Sequence, residues 1–265
     1  AGINPAEIDD VMVGCAFPEA EQGINIGRIA SKMAGFPDSV CGATVNRFCS
    51  SGIEAIALAT LRVQAGWSEV AMGAGIESMT FVPMGGNKPR PHPEFSKEDP
   101  TAYISMGITA ENVASRYNIT RQECDEFAAK SNEKAAIAQK NGWFTEIVPT
   151  PAVKFVPQAD GTFKKETFIV SEDDGVRPGT TAEGIAKLSS PFKFGGVATA
   201  ANSSQTTDGA AATLVASKEA CERLGLKPIA KIIAYAVAGC KSDEMGVGPK
   251  YAIPKALKIA GLTID

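Results

Sequence analysis

The stretch Val40-Cys-Gly-Ala-Thr-Val-Asn-Arg-Phe-Cys-Ser-Ser-Gly52, with Ile53 to Gly66 and Glu69-Val-Ala-Met-Gly-Ala-Gly-Ile-Glu77 behind it, decides the fold. Residues 40–46 form a short apolar run of strand type. Ile53, Ile56, Ala57, Leu61 and Ala65 then recur at helical spacing. That spacing predicts an amphipathic helix with these side chains on its buried stripe, stopped at Gly66. Residues 69–77 read as a second, buried strand of small residues. Upstream, Asp10 to Cys15 reads as a strand. Gly23 to Gly35 carries Ile26, Ile29, Ala30 and Met33 at helical spacing. Strand, helix, strand, helix, strand predicts an α/β layer on a largely parallel sheet.

Downstream the pattern breaks. Residues 81–100 are rich in proline and charge and contain Gly85-Gly86, so they leave the sheet as a loop. Thr120-Arg-Gln-Glu123 is a capping box that opens a long helix ended by Gly142. Residues 146–176 read as extended segments with a turn at Asp160-Gly161. Residues 211–216 return to a strand, 218–224 to a helix, 229–237 to a further strand and 253–260 to a helix closed by Gly261. Ala1-Gly2-Ile3, leading to Ile8-Asp9, is echoed by Ala260-Gly-Leu-Thr-Ile-Asp265. The echo suggests a duplicated unit, here present as one copy and the start of a second.

Composition excludes several classes. At 44% hydrophobic over 265 residues the chain can bury a core, which rules out disorder. Its net charge of −4, from 26 bases and 30 acids interspersed, argues against nucleic acid as a partner. The most apolar stretch, 229–240, falls short of the roughly 20 residues of a membrane span. The six cysteines (15, 41, 49, 124, 221 and 240) form no CxxC pair, and His92 is the sole histidine. No zinc set and no disulfide framework emerges, and the thiols read as reduced, in an intracellular protein.

Cys49 is the candidate nucleophile. It falls where a strand turns into the N-terminus of a helix, and unpaired N–H groups and the helix dipole there favour a thiolate. The same turn offers backbone N–H donors to an oxyanion. The plain alternative is a small packing residue, as the other five cysteines are read.

Val45-Asn-Arg-Phe-Cys-Ser-Ser-Gly52 with Gly73 to Met79 resembles the nucleophile region of the thiolase family. In the family's order follow Met106-Gly-Ile-Thr-Ala-Glu-Asn112, Asp174-Gly-Val-Arg-Pro178 and Thr199-Ala-Ala-Asn-Ser-Ser204 with Asp208-Gly-Ala-Ala-Ala212. Met245-Gly-Val-Gly-Pro249 completes the set. The resemblance runs from residue 1 to 265. It implies a layered α-β-α fold built from a duplicated unit, with the first half nearly complete and the second only begun. Residues 1–82 and 199–225 would form the N-terminal half. Residues 83–198 would be an inserted loop domain contributing to coenzyme A binding, and 226–265 the start of the C-terminal half.

The resemblance further implies an acetyl-CoA C-acyltransferase that cleaves 3-ketoacyl-CoA, or condenses in reverse, through an acyl-Cys49 intermediate. Coenzyme A would be a co-substrate, with no permanently bound cofactor and no metal. Arg177 would lie near the nucleotide phosphates, Ser204 on the pantetheine arm, Ala200 and Phe192 along it, and Met106 at the acyl channel. Ser105 stands where many family members have histidine, which leans away from a short-chain biosynthetic pocket. The Cys-Ser-Ser-Gly form leans toward the degradative branch. A homodimer or homotetramer is implied, in the cytoplasm, or in peroxisomes or mitochondria of a eukaryote. The family's later Asn-Glu-Ala-Phe, Gly-His-Pro and Cys-x-Gly motifs have no match here, and the first strand is missing. The sequence is therefore expected to be an internal fragment, itself unable to turn over. Two alternatives stay open: a thiolase-like acyl-CoA binding protein without catalysis, and a cysteine hydrolase pairing Cys49 with His92. A ketoacyl synthase shares the nucleophile but takes carrier-protein substrates and uses two later histidines.

Overall fold

The computed structural model describes residues 2–264, so Ala1 and Asp265, the outer ends of the terminal echo, lie outside the described residues. In chain order come β1 (Asp10–Gly14), α1 (Ile26–Met33), β2 (Cys41–Val45), α2 (Ser51–Gln64), β3 (Val70–Glu77) and the short α3 (Phe95–Glu98). Then follow α4 (Met106–Tyr117), α5 (Arg121–Lys140), β4 (Thr150–Pro157), β5 (Phe163–Val170) and α6 (Ala182–Ile185). Last are β6 (Gly209–Ala216), α7 (Lys218–Leu224) and α8 (Gly248–Ala260). The chain divides into two units. One holds Ala1–Tyr103, Thr206–Cys240 and Val247–Asp265; the other holds Ile104–Gln205 and Lys241–Gly246.

The first unit is built on a four-stranded sheet in the order β2-β1-β3-β6. β1 runs parallel to both neighbours, and β6 closes the sheet antiparallel to β3. β1–α1–β2 steps to one side of β1 and β2–α2–β3 steps back across it. Right-handed crossovers in opposite directions put the two helices on opposite faces. The core confirms this layering. Val11, Val13 and Cys15 pack with Ile26 of α1 and Ala220 of α7, whereas Met12 packs with Ala55 and Ala59 of α2. The period of two along β1 divides the faces.

The helix α2 forms as its spacing predicts, but of the expected stripe only Ala57 is buried. Ala55 and Ala59 are fully buried, while Ile53 and Leu61 are more than half exposed. The reason lies in the sheet. A Cβ on Gly73 would come within 2.5 Å of the Cα of Ile56, so backbone meets backbone and only small side chains fit between. The strand expected at 229–237 is a second departure. The segment carries no ladder with any strand among the described residues, and Ile229 and Ile233 are exposed. An apolar β-branched run satisfies the strand pattern but becomes a strand only when an edge takes up its N–H and C=O groups.

In the second unit, Thr120 and Glu123 exchange both bonds of the capping box at the start of α5. β4 and β5 pair as an antiparallel hairpin around Asp160-Gly161. Two buried acids hold the long loop beyond the hairpin. Glu111 of α4 accepts the N–H groups of Val197 (3.0 Å) and Ala198 (2.8 Å) and the hydroxyl of Ser190 (3.0 Å). Asp125 of α5 accepts from Asn202 (3.0 Å) and Arg121 (2.7 Å). Burial works to raise the pKa of Glu111, but the donors from Ala198, Val197 and Ser190 outweigh it and hold the carboxyl below its usual value. A folded pKa below the unfolded one, about 4.3, gives stability that is present above that pH and lost as pH falls through the folded value. Denaturant titrations of the chain should therefore show stability falling below about pH 4, with a shallower acid slope in Glu111→Gln. An unchanged slope in that variant would contradict the assignment.

Candidate active site

The C-terminal ends of β1, β2 and β3 lie side by side, the edge where open parallel sheets present their sites. From β2 the chain runs through Asn46, Arg47 and Phe48 to Cys49, and α2 begins at Ser51 with Ser50 as its N-cap. Phe48 has φ +47°, a left-handed conformation uncommon for a bulky residue and a mark of local strain. The strain is held by several bonds. Ser51 Oγ accepts the N–H of Arg47 (2.8 Å) and donates to the carbonyl of Phe48 (2.6 Å). Asn46 Oδ1 accepts the N–H of Phe48 (2.8 Å), and its amide donates to the carbonyl of Ala16 (2.9 Å). The N–H groups of Ser50 and Ser51 return to the carbonyls of Arg47 and Phe48. Cys49 stands exposed on this elbow.

Beneath it the backbone approaches closely. A Cβ on Gly14 of β1 would lie 2.4 Å from the carbonyl carbon of Ser51, so the first turn of α2 rests directly on the strand. Glu77, at the end of β3, draws the loop after β1 inward. Its carboxylate accepts from the N–H of Ala16 (2.7 Å) and from Gln22 Nε2 (2.7 Å), and Gln22 Oε1 accepts the N–H of Ser78 (2.6 Å). Asp208 accepts the N–H of Thr80 (2.9 Å). Sequence reasoning passed over Glu77 and Gln22. The one available signal was a carboxylate ending an otherwise apolar buried strand, which demands donors.

Cys15 differs from Cys49. It is 1% exposed, and burial, reinforced by the nearby Glu77 charge, pushes its thiol up to about 11. At pH 8 iodoacetamide should modify Cys49, and peptide mapping should find Cys15 unmodified. Labelling of Cys15 as fast as Cys49 would refute this contrast. His92 is taken up locally, its Nδ1 accepting the N–H of Phe95 (3.2 Å) at the start of α3. Among the described residues no hydrogen bond joins it to Cys49.

The remaining candidates fall in the second unit. Phe192 packs its ring against Gly107, where a Cβ would come within 2.2 Å of a ring carbon, and so sits beside Met106 at the start of α4. Ala200 and Ser204 are exposed on the loop anchored by Asn202, whose Oδ1 accepts the N–H of Thr199 (2.7 Å). Ser204 Oγ donates to the carbonyl of Gln205 (3.2 Å), and the Gln205 side chain lies over Gly175. Arg177 is exposed; its N–H donates to Asn132 of α5 (3.0 Å) and its guanidinium to the carbonyl of Asp174 (2.6 Å). Next to it a cleft of about 680 Å³ runs between α5 and residues 179–183, with Lys130 and Lys140 alongside Glu126, Glu133 and Glu183 on its wall. Among the described residues no three His, Cys, Asp or Glu side chains gather as a metal site, and no helix is long and apolar enough to cross a membrane.

A cysteine presented on a strained strand-to-helix turn, at the carboxyl edge of a mixed sheet layered between helices, is the geometry of an α/β fold with a thiol nucleophile. Residues 1–219 match the thiolase N-terminal domain and residues 226–265 the thiolase C-terminal domain. The chain belongs to the thiolase family. It is 44% identical to a 3-ketoacyl-CoA thiolase of Bacillus subtilis over 266 residues, covering 100% of this chain and 68% of that protein. Its structure superposes on the acetyl-CoA acetyltransferase of Bacillus anthracis with a TM-score of 0.83 and 34% identity, over 99% of this chain and 67% of that one. On the dimeric peroxisomal thiolase of Saccharomyces cerevisiae the TM-score is 0.83 at 33% identity, over 97% of this chain and 64% of the other. The chain thus spans about two thirds of the length of each.

Proposed function

We propose that this chain is the nucleophile-bearing part of an acetyl-CoA C-acyltransferase that cleaves 3-ketoacyl-CoA by thiolysis, or runs the reverse condensation. The observation that carries the reading is Cys49, exposed on its strained elbow in a chain of this family. The thiolate adds to the 3-keto carbonyl. The bond between C2 and C3 then breaks, its electron pair leaves on acetyl-CoA as an enolate that takes up a proton, and the acyl group remains on Sγ as a thioester. The thiol of a second coenzyme A attacks that thioester, releasing a shortened acyl-CoA and the free thiolate. The backbone N–H of Cys49 serves as one oxyanion donor.

Coenzyme A is a co-substrate and no resident cofactor takes part. Arg177 pairs with the nucleotide phosphates, Ser204 bonds the pantetheine arm, and Ala200, Phe192 and Met106 line its path. Their common unit supports this. Residues 83–198, with Ala200 and Ser204 just beyond them, serve as the coenzyme-binding insertion between two parts of the N-terminal half, and residues 226–265 open the C-terminal half. The assembly is a homodimer or homotetramer, supported by the dimeric yeast neighbour. The compartment is the bacterial cytoplasm, or the peroxisome or mitochondrion in a eukaryote.

The test is exposure of the protein to 3-ketoacyl-CoA without free coenzyme A, followed by intact and peptide mass analysis. One acyl group on Cys49 is expected. Acyl-CoA binding without any adduct would favour the non-catalytic reading, and loss of acyl loading in His92→Ala would favour the hydrolase.

A further inference from the structure

Arg47, two residues before Cys49, is held at three points. Its N–H goes to Ser51 Oγ, its carbonyl receives Ser50, and its guanidinium forms a two-pronged pair with Glu54 of α2, Nε to Oε2 at 2.7 Å and Nη2 to Oε1 at 3.1 Å. Glu54 has a second partner, since its Oε2 also accepts the phenol of Tyr235. Tyr235 is half-buried and belongs to the segment 229–240 that forms no ladder. Its hydroxyl therefore ties this stretch to the first turn of α2, within the same unit.

We propose that Glu54, braced by Tyr235, is a positioning residue that holds the Arg47–Cys49 elbow in its strained conformation. An exposed ion pair alone has little effect, because water competes for both partners. This pair differs in three respects. The guanidinium fork is satisfied on two oxygens, which fixes orientation as well as distance. The Glu54 side chain is only 14% exposed. A third group from a remote part of the chain polarises the same carboxylate, so the three act as one network. The left-handed Phe48 lies between the clamped residue and Cys49. Relaxing Arg47 lets that φ return to the ordinary region and carries Sγ with it.

The consequence for turnover rests on Cys49 being the nucleophile; the ordering of the elbow does not. Amide hydrogen exchange of residues 46–52, with 70–77 as internal reference, reads the ordering in the unmodified chain, Glu54→Ala, Glu54→Gln, Tyr235→Phe and the Ala/Phe double variant. Exchange at 46–52 should quicken about tenfold or more in Glu54→Ala and by less in Tyr235→Phe, with the reference unchanged. The double variant should match Glu54→Ala, since the phenol has nothing left to brace. Glu54→Gln loses the charge and one prong of the fork, since its NH2 group faces a guanidinium N–H, and should exchange at a rate between those of the unmodified chain and Glu54→Ala. The rate of acyl loading on Cys49 should fall about tenfold in Glu54→Ala at an unchanged half-saturating acyl-CoA concentration. Unaltered exchange in Glu54→Ala, or strictly additive effects in the double variant, would overturn the proposal. If the unmodified chain takes no acyl group while the exchange results hold, the catalytic reading fails and the positioning role stands.

Discussion

Replacing Cys49 by alanine is expected to lower the rate of acyl loading by about 10⁴-fold or more, as removal of a covalent nucleophile does. Serine in its place should do no better. A hydroxyl at the same point ionises far less readily than a thiol, and its acyl ester is a poorer partner for a second thiol than a thioester is. Folding should survive both changes, because Cys49 is exposed and the elbow is built from its neighbours: Asn46, Ser51, and the main chain of Arg47 and Phe48. Cys41 is likewise exposed, so Cys41→Ala supplies the control and should load normally. Acyl adduct retained in Cys49→Ala would assign the chemistry to another thiol.

Gly14→Ala should be the most damaging of the small substitutions. The added Cβ would lie 2.4 Å from the carbonyl carbon of Ser51, 2.5 Å from its oxygen and 2.7 Å from the nitrogen of Gly52. All three are main-chain atoms, so no side chain can rotate away, and the first turn of α2 must lift from β1. Overpacking of this kind costs about 1–3 kcal/mol and can exceed it. For a domain of this size each kcal/mol lowers Tm by about 2–4 °C. The shift also displaces Cys49, so acyl loading should decline more steeply than stability. Gly52→Ala makes the contrast. Nothing stands within 4 Å of its Cβ, and in the first turn of a helix alanine should be neutral or stabilising by up to about 1 kcal/mol. Equal Tm values for the two variants would remove the close approach from the account.

Local chemistry accounts for what was legible in the chain. The capping box at Thr120, the stops at Gly66, Gly142 and Gly261, and the strand–helix alternation through residue 77 are decided within a few residues, and each is found where the pattern placed it. The elbow at Cys49 follows from the same alternation. What stayed hidden depends on distant neighbours. Ile53 and Leu61 mark the more apolar stripe of α2, yet Gly14 and Gly73, remote in sequence, bring the helix down on its alanines. Residues 229–237 have strand composition without a strand beside them. The donors to Glu77 and the bond from Tyr235 to Glu54 join residues 55 to 181 positions apart, and no periodicity encodes such a pairing.

The order of the sheet has a bearing on how the chain is made. β1, α1, β2, α2 and β3 occupy one continuous run, so a nascent chain can assemble the elbow as soon as residue 77 has emerged. β6, the antiparallel neighbour of β3, arrives only after residues 104–205, the larger part of the second unit, have been synthesised. During that interval the outer side of β3 offers a row of unpaired amides along an apolar strand, the kind of edge that recruits other chains. The nucleophile is thus formed early and its sheet is sealed late, and the exposed interval lasts as long as the ribosome takes to deliver residues 209–216.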